Sequence, residues 1–252
     1  MLSAERKLKI AELVNRNGGI KTSELSSMFN VSEMTVLRDL AELEKQGVLK
    51  RVYGGAVSLR DNYHEVSSSL REKIHTFEKN TIAQIAVELI QEGESIFLDG
   101  STTSLALARR LYSFSDLTVV TNGLDIINEI RRNANIKLIC PGGEFNTIPM
   151  CFLGPGTENF LRNINLDKAF ISSAGISIKA GLTEPNPMQA SVKRIVIENS
   201  SEVILLVDRS KFGKVTLNRV CDWEDIDIVV TDGKPEDEYV SFWHDRNIRV
   251  LY

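Results

Sequence analysis

Asp99-Gly100-Ser101-Thr102-Thr103 follows the apolar run Ser95-Ile96-Phe97-Leu98 and precedes the helix-forming stretch Ser104-Leu105-Ala106-Leu107-Ala108. A loop of small and hydroxyl residues that opens a helix presents backbone N–H groups, and the helix dipole favours an anion there, phosphate first among them. The same residues would serve equally well as a plain helix cap and tight turn. Comparable polar loops end other apolar runs: Thr121-Asn122-Gly123, Pro141-Gly142-Gly143-Glu144, Ser172-Ser173-Ala174-Gly175 and Asp208-Arg209-Ser210-Lys211-Phe212-Gly213-Lys214. Parallel sheets bind ligands at the carboxyl ends of their strands. The loops therefore predict one polar rim with Lys211 as its cation; Lys193 and Arg194 are either further charge or plain surface.

A second set of residues lies near the N-terminus. With Val36, Leu40 and Leu43 facing inward at i, i+4 and i+7, the residues Ser32, Glu33, Met34, Thr35, Leu37 and Arg38 are left towards the outside of one helix. Arg38 can reach a guanine edge or a phosphate, and Ser32 and Thr35 can contact a phosphate or a base. Lys50, Arg51 and Tyr53 flank a Gly54-Gly55 turn and suit phosphate contacts, although a solvated charged face would carry the same lysine and arginine. Cys140, Cys151 and Cys221 form no C-x-x-C pair, and His64, His75 and His244 match no metal-ligand spacing. The thiols read as packing groups, and neither a metal nor a cofactor is expected.

The elements that must hold these residues are legible from periodicity. A first helix with Ile10, Leu13 and Val14 on one face ends at Gly18-Gly19. A second, capped by Thr22 or Ser23, carries Leu25 and Phe29; a third, 33–46, is capped by Ser32 and ended by Gly47. Residues 48–57 read as a hairpin. Helix, turn, helix and hairpin together predict a winged helix-turn-helix over 1–57, although a bland helical subdomain would share the periodicity. Residues 58–78 are polar and Ser-rich, a linker. From 79 to 252 apolar strands at 95–98, 117–121, 136–140, 168–172, 202–207, 226–231 and 248–251 alternate with helices at 81–91, 104–111, 124–132, 158–163, 192–200 and 236–245. That alternation predicts an α/β domain with a mostly parallel sheet covered on both faces.

The chain has 252 residues, 42% hydrophobic and 25% charged, which excludes a collagen-like or wholly disordered chain. The net charge of −4 is an average that hides a division. Residues 1–57 carry nine Lys/Arg against seven Asp/Glu, net +2; residues 58–252 carry 21 against 27, net −6. The longest uninterrupted apolar run, 203–207, is far short of a membrane span, and the charged N-terminus lacks a signal-peptide core. A cytoplasmic protein without a membrane partner is expected.

The stretches Val31-Ser32-Glu33-Met34-Thr35-Val36-Leu37-Arg38-Asp39-Leu40, Leu43-Glu44-Lys45-Gln46-Gly47 and Arg51-Val52-Tyr53-Gly54-Gly55-Ala56 closely resemble the DeoR family of bacterial transcriptional regulators. So do the Asp99–Thr103 loop, Thr121-Asn122, Gly142-Gly143, the segments 170–175 and 208–213, and Gly181-Leu182-Thr183, which match the family's sensor domain. The resemblance covers nearly the whole chain. It implies a sensor core similar to ribose-5-phosphate isomerase and a phosphorylated sugar effector, with phosphate on the Ser/Thr loop and Lys211 near the sugar. The tail, Ser210 to Val215 with Pro235 to Val240, resembles deoxyribose-operon members of the family, so deoxyribose 5-phosphate is one candidate effector. Two departures stand out: Leu37 where the family usually has a first arginine, and Gln189 where many members carry glutamate.

The expected function is a DNA-binding repressor of a sugar or nucleoside catabolic operon, controlled by a sugar phosphate and working as a homo-oligomer on operator DNA. Its effector residues are Asp99, Gly100, Ser101, Thr102, Thr103, Thr121, Asn122, Gly142, Gly143, Gln189, Lys193 and Lys211. The alternative is a sugar-phosphate isomerase-like enzyme fused to a helical module, with Asp99, Glu144 or Glu184 as the base. The Lys-Gly-Gly-Gly element of those isomerases is missing, so no enzyme is expected.

Overall fold

The computed structural model describes residues 2–17, 19–46, 48–57 and 68–252. Gly18 and Gly47, read as helix stops, and the linker residues 58–67 lie outside the described residues. The chain divides into two compact units, Met1–Ile74 and His75–Tyr252.

In the first unit α1 (Ser3–Asn17), β1 (Gly19–Lys21), α2 (Thr22–Phe29) and α3 (Glu33–Lys45) precede a hairpin of β2 (Lys50–Val52) and β3 (Gly55–Val57). Ile10 and Val14 of α1, Leu25 of α2, and Val36, Leu40 and Leu43 of α3 are fully buried in one core. Each buried aliphatic side chain of this size contributes about 1.5–3 kcal/mol. Ser32 caps α3, its hydroxyl accepting the Thr35 N–H at 3.2 Å. The cap of α2 is Lys21 rather than Thr22 or Ser23. Thr22 N–H is already engaged by the Gly54 carbonyl at 2.8 Å, which ties the start of α2 to the hairpin turn.

Periodicity did not reveal β1, which is too short to show a pattern. It pairs antiparallel with β3, giving the order β1-β3-β2. A side chain at Gly55 would overlap the Ile20 carbonyl, so this close approach requires glycine. The tip residue Gly54 has φ +78°, in the left-handed region that favours glycine. Within the 58–78 segment, α4 (Ser68–Lys73) falls in the first unit and packs on α1.

The second unit opens with α5 (Thr76–Ala86), which starts earlier than the periodicity suggests. It continues through β4 (Ser95–Leu98), α6 (Thr102–Ala108), β5 (Leu117–Thr121), α7 (Leu124–Ile130) and β6 (Ile136–Ile139). A hairpin of β7 (Glu144–Asn146) and β8 (Cys151–Leu153) leads to α8 (Pro155–Leu161) and β9 (Leu166–Ile171). Then come β10 (Gly175–Ser177), β11 (Gly181–Glu184), α9 (Pro187–Glu198), β12 (Ser200–Leu206), β13 (Asn218–Cys221), β14 (Ile228–Val230), α10 (Asp237–His244) and β15 (Arg249–Leu251). Among the described residues no helix is long and apolar enough to cross a membrane.

All seven strands read from the sequence lie in one parallel sheet, ordered β15-β14-β12-β9-β4-β5-β6. Alternate residues serve opposite layers. Phe97, Ala169, Ile171, Val203 and Leu205 pack with α8, α9 and α10; Ile96, Leu98, Phe170, Ile204 and Leu206 pack with α5, α6 and α7. Both faces are covered, as a parallel sheet requires. The chain leaves β4 towards β5 and β6, then returns to β9 on the other side of β4. Strand order therefore reverses between β4 and β9, the place where open α/β sheets form their ligand crevice. The β7–β8 hairpin and the antiparallel sheet β10-β11-β13 fall where the sequence reads as loop.

Candidate functional site

On α3 the outward residues expected from periodicity are outward. Glu33, Met34, Leu37 and Arg38 are exposed, while Val36, Asp39 and Leu40 are buried. The Ser32 and Thr35 hydroxyls meet each other at 2.9 Å. Buried Asp39 receives Arg6 of α1 through two contacts, Nε to Oδ2 at 2.6 Å and a second guanidinium nitrogen to Oδ1 at 3.2 Å. The Asp39 hydrogen bond raises the Arg6 pKa against the opposing effect of burial. This pair fixes the rotation of α3 about its axis, because Asp39 lies opposite the outward residues.

Lys50, Arg51 and Tyr53 are exposed on the hairpin. Arg51 is also tied back to α3: its N–H and Nε donate to the two Glu44 oxygens at 2.8 and 2.6 Å. These bonds hold the Glu44 carboxyl below its ordinary range.

In the second unit the Asp99 loop sits at the strand-order reversal. Asp99 N–H donates to the Phe170 carbonyl of β9 at 3.2 Å. Its Oδ2 accepts the Ser172 N–H at 3.0 Å, and its Oδ1 accepts the Ser104 hydroxyl at 2.6 Å. Ser101 caps α6, its hydroxyl accepting the Ser104 N–H at 3.0 Å. Thr102 and Thr103 are buried in the first turn of α6, where backbone N–H groups have no intrahelical acceptor.

Lys193 is buried rather than on the surface. Its Nζ lies 3.1 Å from Asp99 Oδ2, contacts Glu184 Oε1, and donates to the Ser172 carbonyl at 2.6 Å. Burial pulls the Lys193 ammonium down, but Glu184 and Asp99 outweigh it and raise its pKa. Burial pushes the Asp99 carboxyl up; Lys193 and the Ser101 and Ser104 hydrogen bonds outweigh it and hold it low. Lys193, one of the expected effector residues, is thus committed to an internal triad with two carboxylates, and its neighbour Arg194 is exposed. Asp99 and Glu184, the two rim carboxylates weighed as bases, share that ammonium; Glu144 is exposed on β7.

Asn122 joins the Asp99 loop through β8. Its Nδ2 donates to the Phe152 carbonyl at 3.1 Å, and its own carbonyl accepts the Phe152 N–H at 2.8 Å. Its Oδ1 is buried and has no hydrogen-bond partner. Thr121 is buried, its hydroxyl accepting the Gly123 N–H at 3.1 Å. Gly100 lies directly on Cys151, where any Cβ would overlap the Sγ. Gly142 and Gly143 meet α8 instead: the Thr157 hydroxyl donates to the Gly142 carbonyl at 2.6 Å, and Gly143 packs on Thr157.

Gln189 is half-buried in the first turn of α9, its N–H reaching the capping Asn186 Oδ1 at 3.4 Å. Lys211 is half-buried after β12, in a turn started by Asp208, whose side chain accepts the Ser210 N–H at 2.9 Å. Burial raises the Asp208 carboxyl, but Lys211 and Ser210 outweigh it and hold it below its ordinary range. The turn is anchored behind Lys211. Phe212 packs edge-on against Tyr239 and Trp243, at 4.8 and 5.9 Å between ring centres, and Gly213 N–H donates to the Tyr239 hydroxyl at 3.0 Å.

Sequence reasoning missed the partnership of Glu184 with Lys193, the seat of Gly100 on Cys151, and the Tyr239 anchor. Nothing local signals any of them. Helix α9 starts at Pro187 rather than at 192 as the periodicity suggests; Asn186 at the cap and Pro187 at the first helical position, both favoured there, are the signal that could have found it. Among the described residues no group of three or more His, Cys, Asp and Glu could hold a metal ion.

A winged helix with an outward arginine, joined to a parallel α/β unit with a polar rim, defines a DNA-reading regulator with a separate sensor domain. Residues 6–62 match the DeoR-like helix-turn-helix domain, residues 74–233 match the DeoR C-terminal sensor domain, and the chain belongs to the DeoR family of transcriptional regulators. The HTH-type transcriptional regulator YulB of Bacillus subtilis is 36% identical, with 99% of this chain and 96% of that protein covered. The transcriptional repressor AccR of Agrobacterium fabrum is 37% identical, with 90% and 89% covered. Among solved structures, ribose 5-phosphate isomerase A from Methanocaldococcus jannaschii covers 54% of this chain and 54% of that chain, at 20% identity and TM-score 0.40.

Proposed function

We propose that this chain is a repressor of a sugar or nucleoside catabolic operon, released from or retained on its operator by a phosphorylated sugar at the carboxyl rim of the second unit. The observation that carries the proposal is the Asp99–Thr103 loop, which opens α6 at the strand-order reversal beside Asn122, whose buried Oδ1 has no hydrogen-bond partner. A buried acceptor without a donor costs about 1–3 kcal/mol, so any rearrangement of the loops that brings Asn122 a donor is favoured. Thr102 and Thr103 offer N–H groups to phosphate, and Lys211 and Gln189 face the sugar. Lys193 acts through Asp99 and does not touch the ligand. On the DNA side Arg38 reads a base edge, and Lys50, Arg51 and Tyr53 meet the backbone. A homo-oligomer presents paired reading helices to paired half-sites, and the effector acts by its differential affinity for two arrangements of them.

The test is a thermal-shift screen of the full chain with phosphorylated pentoses, hexoses and sugar acids, deoxyribose 5-phosphate included, because a ligand stabilises the state that binds it. A hit should change the mobility shift of the gene's own upstream region. Arg38→Ala should weaken DNA binding and leave the thermal shift intact; Lys211→Ala should do the reverse. A Lys211→Ala protein that loses DNA binding yet keeps the full thermal shift would refute the site assignment.

A further inference from the structure

The outward face of α3 has an unusual composition for a surface that meets DNA. Met34 is 60% exposed and Leu37 40% exposed, beside exposed Arg38. Residues 34, 37 and 38 stand at i, i+3 and i+4, so they form one contiguous patch over a single helical turn. The polar groups next to it are already occupied or of the wrong sign: Ser32 and Thr35 hydrogen-bond each other, and Glu33 is an anion at the helix start. Isolated exposed apolar side chains are ordinary. Two adjoining ones beside a guanidinium, on the helix whose opposite face is held by the Arg6–Asp39 pair, make a surface of defined chemistry.

We propose that Met34 and Leu37 are specificity residues that read thymine methyl groups next to the base contacted by Arg38. In the major groove the thymine C5-methyl is the apolar feature available to such side chains, and it distinguishes T·A from every other pair at that edge. DNA is the occupant because Arg38, Lys50 and Arg51 lend the unit cationic groups and residues 1–57 carry a net +2. This inference rests on the DNA-reading role of the first unit.

The probe is a duplex enriched from a random pool by the full chain, remade with deoxyuridine replacing each thymidine in turn so that the methyl alone is lost. Each contacted methyl should cost the native chain about fourfold in affinity, the effect of removing one buried methyl or methylene group. Leu37→Ala should abolish that sensitivity at one position and Met34→Ala at another, with the dependence of affinity on salt unchanged, because neither residue meets phosphate. Lys50→Ala should instead lower the salt dependence by about one ion. A native chain indifferent to every thymidine replacement, yet weakened by 7-deazaguanine, overturns the proposal. So does sensitivity that persists unaltered in both alanine variants. Failure to enrich any duplex at low salt would overturn the DNA-reading role itself, a result distinct from either.

Discussion

The first unit buries Arg6 with Asp39, whereas the second buries Lys193 with both Asp99 and Glu184, and the two networks serve their sites in different ways. In the first, the ions lie behind the functional surface: they orient α3, while Arg38, Met34 and Leu37 stay outside. In the second, the ions are part of the rim. Asp99 belongs to the candidate ligand loop, and its partners fasten that loop to β9, β11 and α9. A surface that meets a large charged polymer needs a rigid support and exposed tips. A site for a small molecule needs buried polar groups whose charge states are already set, because the ligand must replace water there with matching partners.

The sharpest way to break this contrast is Lys193→Met. It strands two carboxylates in a buried setting and should cost the second unit about 3–5 kcal/mol, read by calorimetry of the full chain. Recovery of most of that loss on adding Asp99→Asn and Glu184→Gln would assign the cost to uncompensated charge; a loss below about 1 kcal/mol would erase the distinction between the units. Asp39→Ala should cost the first unit about 3 kcal/mol in urea unfolding, at the low end for a buried pair because its side chains retain slight exposure. Operator affinity should fall with it, although Asp39 itself is buried. Removing the half-exposed Glu42 partner of Lys7 should cost less than about 1 kcal/mol.

Gly100→Ala probes the rim by crowding it. The new methyl meets Cys151, so a cost of about 1–3 kcal/mol and a weakened sugar-phosphate thermal shift are expected. Cys151→Ala in the same chain should restore part of both. Tyr239→Phe keeps the ring packing on Phe212 but deletes the acceptor for Gly213 N–H, for about 1 kcal/mol. Its larger effect should be several-fold weaker effector binding through a loosened Lys211 turn, with unliganded DNA binding unchanged.

The smallest effect concerns pH. The depressed Asp99 and Asp208 carboxyls contribute stability above their unfolded value of 3.8, and that contribution is lost as pH falls through their lower folded values. Lys193, raised from 10.5, contributes below that value and loses it as pH climbs through the higher folded one. Cys221, whose thiol burial pushes from 9.0 up to about 12, likewise contributes below 9.0 and loses that contribution as pH rises above it. The second unit should therefore show flat stability from about pH 6 to 8 by thermal melting, and a slope inside that window would mean that another group governs it.

Legibility followed the range of the information. Val36, Leu40 and Leu43 announced a buried face because α-helical spacing alone brings them together, and that face in turn left Arg38 outside. The seven strands of the parallel sheet were readable because each is a short, nearly continuous apolar run. The three-residue strand β1, the β7–β8 hairpin and the sheet β10-β11-β13 were not, since each is brief and its pairing is dictated by partners elsewhere in the chain. The rim divides the same way. Loop composition pointed to Asp99, Ser101 and Asn122 as candidates and the structure places them close together, whereas the meaning of Lys193 changed once it was seen to be buried.

By itself the sequence determined the longer helices, the seven strands of the parallel sheet, their order, the family, and the division into a slightly basic reader and an acidic sensor. These properties depend on neighbours within a turn or two, or on composition. Tertiary structure alone decided that Lys193 neutralises Asp99 and Glu184, that Cys151 underlies Gly100, that Tyr239 holds the Lys211 turn, and that Asn122 buries an unpaired oxygen. A lysine's charge is the same in every sequence; whether it is available to a ligand depends on which carboxylates the fold brings within about 3 Å and how much water it removes around them.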